Sequence, residues 1–243
     1  MYPAPPIVEA LVQFRLIAAE SGAELLDAMP PAFVAAYPGD RLDKEKFEIE
    51  AAVSKNELKT SAKRAPHVTF LRSADNLRLV GLGDQLLSVS VLAPYPGWES
   101  LLEQTQEAVD ALPEHVRRSG ASRIGVRYID RIHLPQAAGD QLSTYISIAT
   151  PYPRPFPENL TGFMHRVQLQ DPSGGTTAQL TIASLPSEDG RPTVLYDLDV
   201  FRVFESPIAL MEGEWLSVVD SLHSRQREIF EASITDRLRR LFQ

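Results

Sequence analysis

The stretch "RIGVRYIDRIHLP", Arg123 to Pro135, decides how the rest of the chain is read. Ile124, Val126, Tyr128, Ile132 and Leu134 fall on one side of a two-residue repeat, while Arg127, Arg131 and His133 fall on the other with Gly125 and Ile129. Successive strand residues point to opposite faces of a sheet, so the pattern predicts a β-strand with one oily face and one cationic face. Asp130 breaks it by placing a carboxyl among the apolar residues. Such a group must find hydrogen bonds or shift its pKa. The expectation is a polar anchor held by an arginine or by backbone N–H groups, the alternative a strand end that water reaches.

The same period appears upstream in "IVEALVQFRLI", residues 7–17, with Val8, Ala10, Val12, Phe14 and Leu16 on one side. Prolines at 3, 5 and 6 keep helix out of its approach. "ESGAELLDAMPPAFVAAYPGD" predicts a helix interrupted near Pro30, because an internal proline removes a hydrogen bond and clashes with the preceding turn. "EKFEIEAAVS" returns to strand, and "HVTFLR", "LRLVGL" and "LLSVSVL" form a meander across the turn-forming "SADN" and "GDQ". "PGWESLLEQTQEAVDALPEH" has helical spacing and ends near Pro113.

Beyond Pro135 the order repeats. "GDQLSTYISIA" reads as a weak helix, "GFMHRVQLQ" and "TTAQLTIASL" as a hairpin, "TVLYDLDVFRVF" as a strand, and one long helix is expected from about Glu214 toward Phe242. Its apolar stripe, Trp215 to Leu241, either covers the sheet or forms a homodimer interface. The expected fold is α+β, a single domain over residues 1–243. Its large, mainly antiparallel sheet has helices on one face and is long enough to curl into a tunnel. Two similar strand-helix-strands-helix halves, about 1–121 and 122–243, each announce their last helix with Gly and Trp, "PGW" and "EGEW".

Several stretches resemble a sporadically distributed bacterial protein family of about this length. They are "PPIVEALVQFR" at the start, "LAPYPGWESLLE" at 92–103, "IGVRYIDRIHLP" at 124–135, "LDVF" at 198–201 and "FEASITDRLRRLF" at 230–242. The resemblance spans nearly the whole chain in order. It implies a self-contained bacterial protein and no particular reaction.

Composition narrows the function classes. The 243 residues are 44% hydrophobic and 23% charged, the balance of an ordinary globular chain. A net charge of −8 argues against wrapping nucleic acid, which needs clustered Lys and Arg to displace counterions. With no Cys, disulfides, thiolate metal sites and cysteine nucleophiles are excluded. "MYPAPPIVEA" lacks the pattern of an export signal, and no apolar run approaches ~20 residues, so a cytoplasmic location without membrane association is expected.

Two sets of residues carry candidate chemistry. Arg127, Arg131 and His133 form a ligand-binding candidate, since arginine forks suit phosphate or carboxylate; Arg117, Arg118 and Arg123 add to the local positive excess. Asp197 and Asp199, at i and i+2 of one strand, either pair with Arg127 and Arg131 across the sheet or join Glu48 and Glu50 in holding Mg or Mn. The latter resembles the tunnel-type triphosphatases, in which acids hold metal and bases hold phosphate, although their acid–base order differs. "GLGDQL" at Gly81 lacks the third glycine of a dinucleotide loop, and neither a P-loop nor a G-x-S-x-G elbow is present. The leading expectation is a non-catalytic binding or accessory protein without a cofactor, recognising a partner protein or an anionic small molecule. The alternative is a metal-dependent hydrolase of phosphate esters or polyphosphates.

Overall fold

In a computed structural model the described residues are 2–54, 57–135, 142–148, 162–172, 175–186 and 191–243, with residues 43–67 described by their backbone alone. One antiparallel sheet runs through the molecule. Its strands are β1 (Ile7–Leu16), β2 (Leu42–Ser54), β3 (Glu57–Arg72), β4 (Arg78–Gly83), β5 (Leu86–Leu92), β6 (Ala121–His133), β7 (Met164–Gln170), β8 (Thr177–Leu185) and β9 (Thr193–Ile208). They lie in the order β2-β3-β4-β5-β1-β6-β9-β8-β7. The sheet is open, with β2 and β7 as its two edges, so of the two forms the sequence allowed, curled into a tunnel or not, it takes the second.

The two-residue period is realised where it was clearest. Ala10, Val12, Phe14 and Leu16 of β1, Ile124, Val126, Tyr128 and Ile132 of β6, and Val194, Tyr196, Leu198 and Val200 of β9 are buried on one face, here called inner. Each fully buried aliphatic side chain there contributes roughly 1.5–3 kcal/mol of transfer free energy. Two helices cover that face, α3 (Trp98–Asp110) and α5 (Glu214–Ser233). The α5 stripe of Trp215, Val219 and Leu222 is buried against the sheet, with Trp215 edge-on to Phe14 and Phe230 edge-on to Tyr196.

The remaining helices are short. The Pro30 interruption separates α1 (Gly22–Ala28), opened by a Ser21–Glu24 capping box, from α2 (Pro31–Ala35), which begins at a proline. A helix missing from the sequence reading, α4 (Glu114–Ser119), follows Pro113 directly. The weak helix expected at "GDQLSTYISIA" is reduced, among the described residues, to one 3₁₀ turn at Leu142–Thr144.

The single long C-terminal helix is also corrected. It breaks at Ile234, whose extended backbone bridges to Ile146, and restarts as α6 (Asp236–Arg239). Thr235 explains the break: its backbone N–H donates to the Tyr145 carbonyl, its hydroxyl donates to the Thr144 carbonyl, and its Oγ1 accepts from the Leu238 N–H as an N-cap. Leu238 and Phe242 stay buried beyond the bend. No helix among the described residues is long and apolar enough to cross a membrane.

Candidate functional site

On the outer face of the sheet Arg123 and Arg127 are in place, and each is met by an acid. Both fork nitrogens of Arg127, Nε and Nη2, donate to Asp197 at 2.7 and 2.6 Å. Arg123 donates to Asp199 at 2.7 Å and to Gln13 at 3.1 Å, with its guanidinium 4.1 Å from the Phe201 ring centroid. Arg118 pairs with Glu114, Arg117 lies 3.8 Å from Asp110, and His133 Nδ1 is 3.1 Å from the Thr193 hydroxyl. Cross-strand pairing of Asp197 and Asp199 is therefore realised, but with a different partner for Asp199: Arg123 in place of Arg131. The cause is Gly125. A Cβ there would lie 2.9 Å from Arg123 Nη1 and 3.1 Å from Asp199 Oδ1, so the missing side chain leaves the groove in which the guanidinium lies.

The metal candidates are not brought together. β2, which carries Glu48 and Glu50, is six strand positions from β9, which carries Asp197 and Asp199. At ~4.8 Å per strand this is roughly 29 Å along the sheet, whereas Mg or Mn ligands must converge within about 2–2.6 Å of one ion. The side chains of Glu48 and Glu50 lie outside the described residues. Among the described residues no group of three or more His, Asp or Glu side chains is placed to hold a metal ion.

The inner face presents a different picture at Asp130. Its carboxyl is 2% exposed and has no hydrogen-bond partner among the described residues, so the anchoring arginine or backbone N–H groups expected from the sequence are not there. Burial, with the Asp197 charge across the sheet, pushes its pKa up to about 8. The local backbone explains its surroundings. Asp130 faces Ile7, the first residue of β1, and the register slips between Ile7 and Glu9. Pro5 and Pro6 have no N–H to extend the ladder, whose last bond here runs from the Arg131 N–H to the Pro6 carbonyl.

A cavity of about 620 Å³ opens there, between the approach to β1, the middle of β6, the start of α3 and the middle of α5; Asp130 lines it. Its volume is that of an ordinary small-molecule site. Gly97, at φ 116°, makes the turn that starts α3, which a side chain would strain, and so aims Trp98 into the cavity. The Trp98 ring stacks on His223 of α5, centroids 3.9 Å apart and planes 4° apart, and its Nε1 donates to Asp220 at 3.1 Å. Tyr128 completes the wall, its hydroxyl 2.8 Å from that of Tyr95 and 3.2 Å from His223 Nδ1. Burial and the nearby Arg227 pull the His223 pKa down to about 4, so the imidazole is neutral at physiological pH and shares one hydrogen bond with Tyr128 through Nδ1. Burial pushes the Tyr95 hydroxyl up to about 12 and Tyr128 higher still, keeping both as donors.

Gln226 is a second polar side chain held in this wall, 4% exposed and without a hydrogen-bond partner among the described residues. It continues the buried stripe Trp215, Val219, Leu222, where an apolar residue is expected. The sequence reading found Asp130 but missed Tyr95, Trp98, Gln226 and His223. Gln226 in an apolar stripe was the legible signal. No family model, no curated protein and no solved structure matches the chain.

Proposed function

We propose that this is a small-molecule-binding protein whose ligand enters the chamber between β6 and α5. The observation that carries the reading is the pair of buried, unpartnered polar side chains, Asp130 and Gln226, set in an aromatic wall. Both border the chamber, and a ligand that supplies a hydrogen-bond partner there gains about 0.5–1.5 kcal/mol per bond, more where a charge takes part. His223, held near pKa 4, serves the wall as a neutral stacking partner of Trp98.

The expected anion site at Arg127, Arg131 and His133 has less support, since the Arg127 fork is already filled by Asp197. The metal-dependent hydrolase has less again, for the strand spacing given above. The same reading takes the chain as a cytoplasmic member of the bacterial family it resembles. It takes the strand order as two related halves, β1–β5 and β6–β9, meeting at the β1–β6 pair.

A thermal-shift screen with amines, carboxylates, neutral aromatics, nucleotides, polyphosphate, Mg²⁺ and Mn²⁺ tests the site, with Ser224→Trp as the control. Ser224 is exposed and lines the cavity, so the indole blocks it without touching the core. A ligand at 100 times its Kd adds about 2.7 kcal/mol, which is about 5–10 °C for a chain of this length. The proposal expects stabilising compounds to lose their effect in Ser224→Trp. Compounds that stabilise the variant equally well would place the binding site elsewhere.

A further inference from the structure

We infer that the chamber is made for an organic ammonium ion, a protonated or quaternary amine, with Asp130 as its counter-ion. The inference rests on the chamber being the ligand site and goes on to name the ligand's chemistry. The first ground is the isolation of the carboxyl. Of the other acids bordering the cavity, Glu99 is exposed to water, Asp220 accepts from Trp98, and Glu231 accepts from the Tyr2 hydroxyl at 2.7 Å and from Arg239 at 2.8 Å. Asp130 alone among these is both buried and without a donor. A group that brings one positive charge completes it.

The walls supply the second ground. Tyr2, Tyr95, Trp98, Tyr128 and Phe230 surround the same space, and the negative faces of aromatic rings attract cations by about 0.5–2 kcal/mol each, most strongly where water is excluded. The third is the charge balance: four carboxyls, those of Glu99, Asp130, Asp220 and Glu231, line the chamber against one guanidinium, that of Arg227, which belongs to an exposed residue. An anion would bind only where Asp130 keeps its proton, against the excess of carboxyls around it. A hard metal ion would need six or more oxygen ligands, whereas these walls offer mostly rings.

Isothermal titration of the full chain at pH 8 separates the possibilities with three probes that share one ring: benzyltrimethylammonium, benzyl alcohol and benzoate. The inference expects the cation to bind at least about tenfold more tightly than the other two, as an ion pair joined to cation–π contact requires. Asp130→Asn should remove that preference while leaving benzyl alcohol within about twofold, as loss of charge at constant shape requires. Circular dichroism of Asp130→Asn verifies that its fold is intact. Ser224→Trp should abolish binding of all probes. If benzyl alcohol or benzoate binds as tightly as the cation and Ser224→Trp still blocks it, or if Asp130→Asn leaves cation affinity unchanged, the ammonium assignment is overturned while the chamber stands. If no probe shows binding that Ser224→Trp removes, the chamber reading falls and the assignment with it.

Discussion

The two faces of β6 treat charge in opposite ways. On the outer face Arg123 and Arg127 each find a carboxylate one strand away, and the groove over Gly125 lets the more distant pair form. On the inner face, seven residues along the same strand from Arg123, Asp130 is buried deeper and finds none. The outer pairs hold neighbouring strands in register. The inner carboxyl works against the fold, and a protein that keeps it gains something other than stability from it.

The outer pairs also differ from each other. Arg123 and Asp199 are mostly buried, 15% and 19% exposed, and burial outweighs attraction in both: the arginine pKa is lowered and the aspartate pKa raised. Arg127 lies nearer the solvent, and its hydrogen bonds to Asp197 outweigh burial and raise its pKa. The consequence is a ranking of what breaks when one partner is removed.

The largest effect belongs to Asp130. Asp197 on β9 is the charge acting on it, Tyr128 and Tyr196 are its titratable neighbours on the inner face, and Arg227 stands at the mouth of the chamber. Because its folded pKa is raised to about 8 from an unfolded value of about 3.9, the folded state holds the extra proton. Its contribution is fully favourable below about pH 4 and is lost at up to roughly 1.4 kcal/mol per pH unit until pH 8, where the loss levels off. Asp130→Asn, neutral at every pH, should remove this slope and raise stability at pH 8 by several kcal/mol, read from urea unfolding at pH 5 and pH 8. Equal gains at both pH values would show that the side chain acts through packing instead.

Arg123→Ala comes next. It leaves Asp199 buried without its cation and should cost about 3 kcal/mol by the same unfolding assay. A loss under 1 kcal/mol would mean that the pair carries no more than an exposed one. Arg127→Ala should be milder, about 1–2 kcal/mol and shrinking as salt is added, because Arg127 is 37% exposed although the Asp197 it leaves behind is 15% exposed.

Much of this contrast was legible before any coordinates. The two-residue period of Arg123 to Pro135 assigned its faces correctly, and Asp130 stood out as the residue that violated them. The α+β class and the interruption at Pro30 followed from equally local signals. What could not be read was set by distance along the chain. The Asp199 partner depends on a register between β6 and β9 and on an empty Cβ position. The break at Ile234 depends on a bridge to Ile146, 88 residues earlier. The chamber gathers Tyr95, Trp98, Tyr128 and His223 from four separate stretches, and only the packing of α3 and α5 on the sheet makes them neighbours.

The contrast between the faces of β6 turns on the ionisation of one carboxyl, and a ¹³C NMR titration of the aspartate side chains, with Asp130 assigned by the signal missing from Asp130→Asn, measures it directly. The predicted midpoint is about 8. A midpoint near the ordinary value of about 3.9 would mean that Asp130 is solvated or already paired, and the contrast between the two faces of β6 would disappear with it.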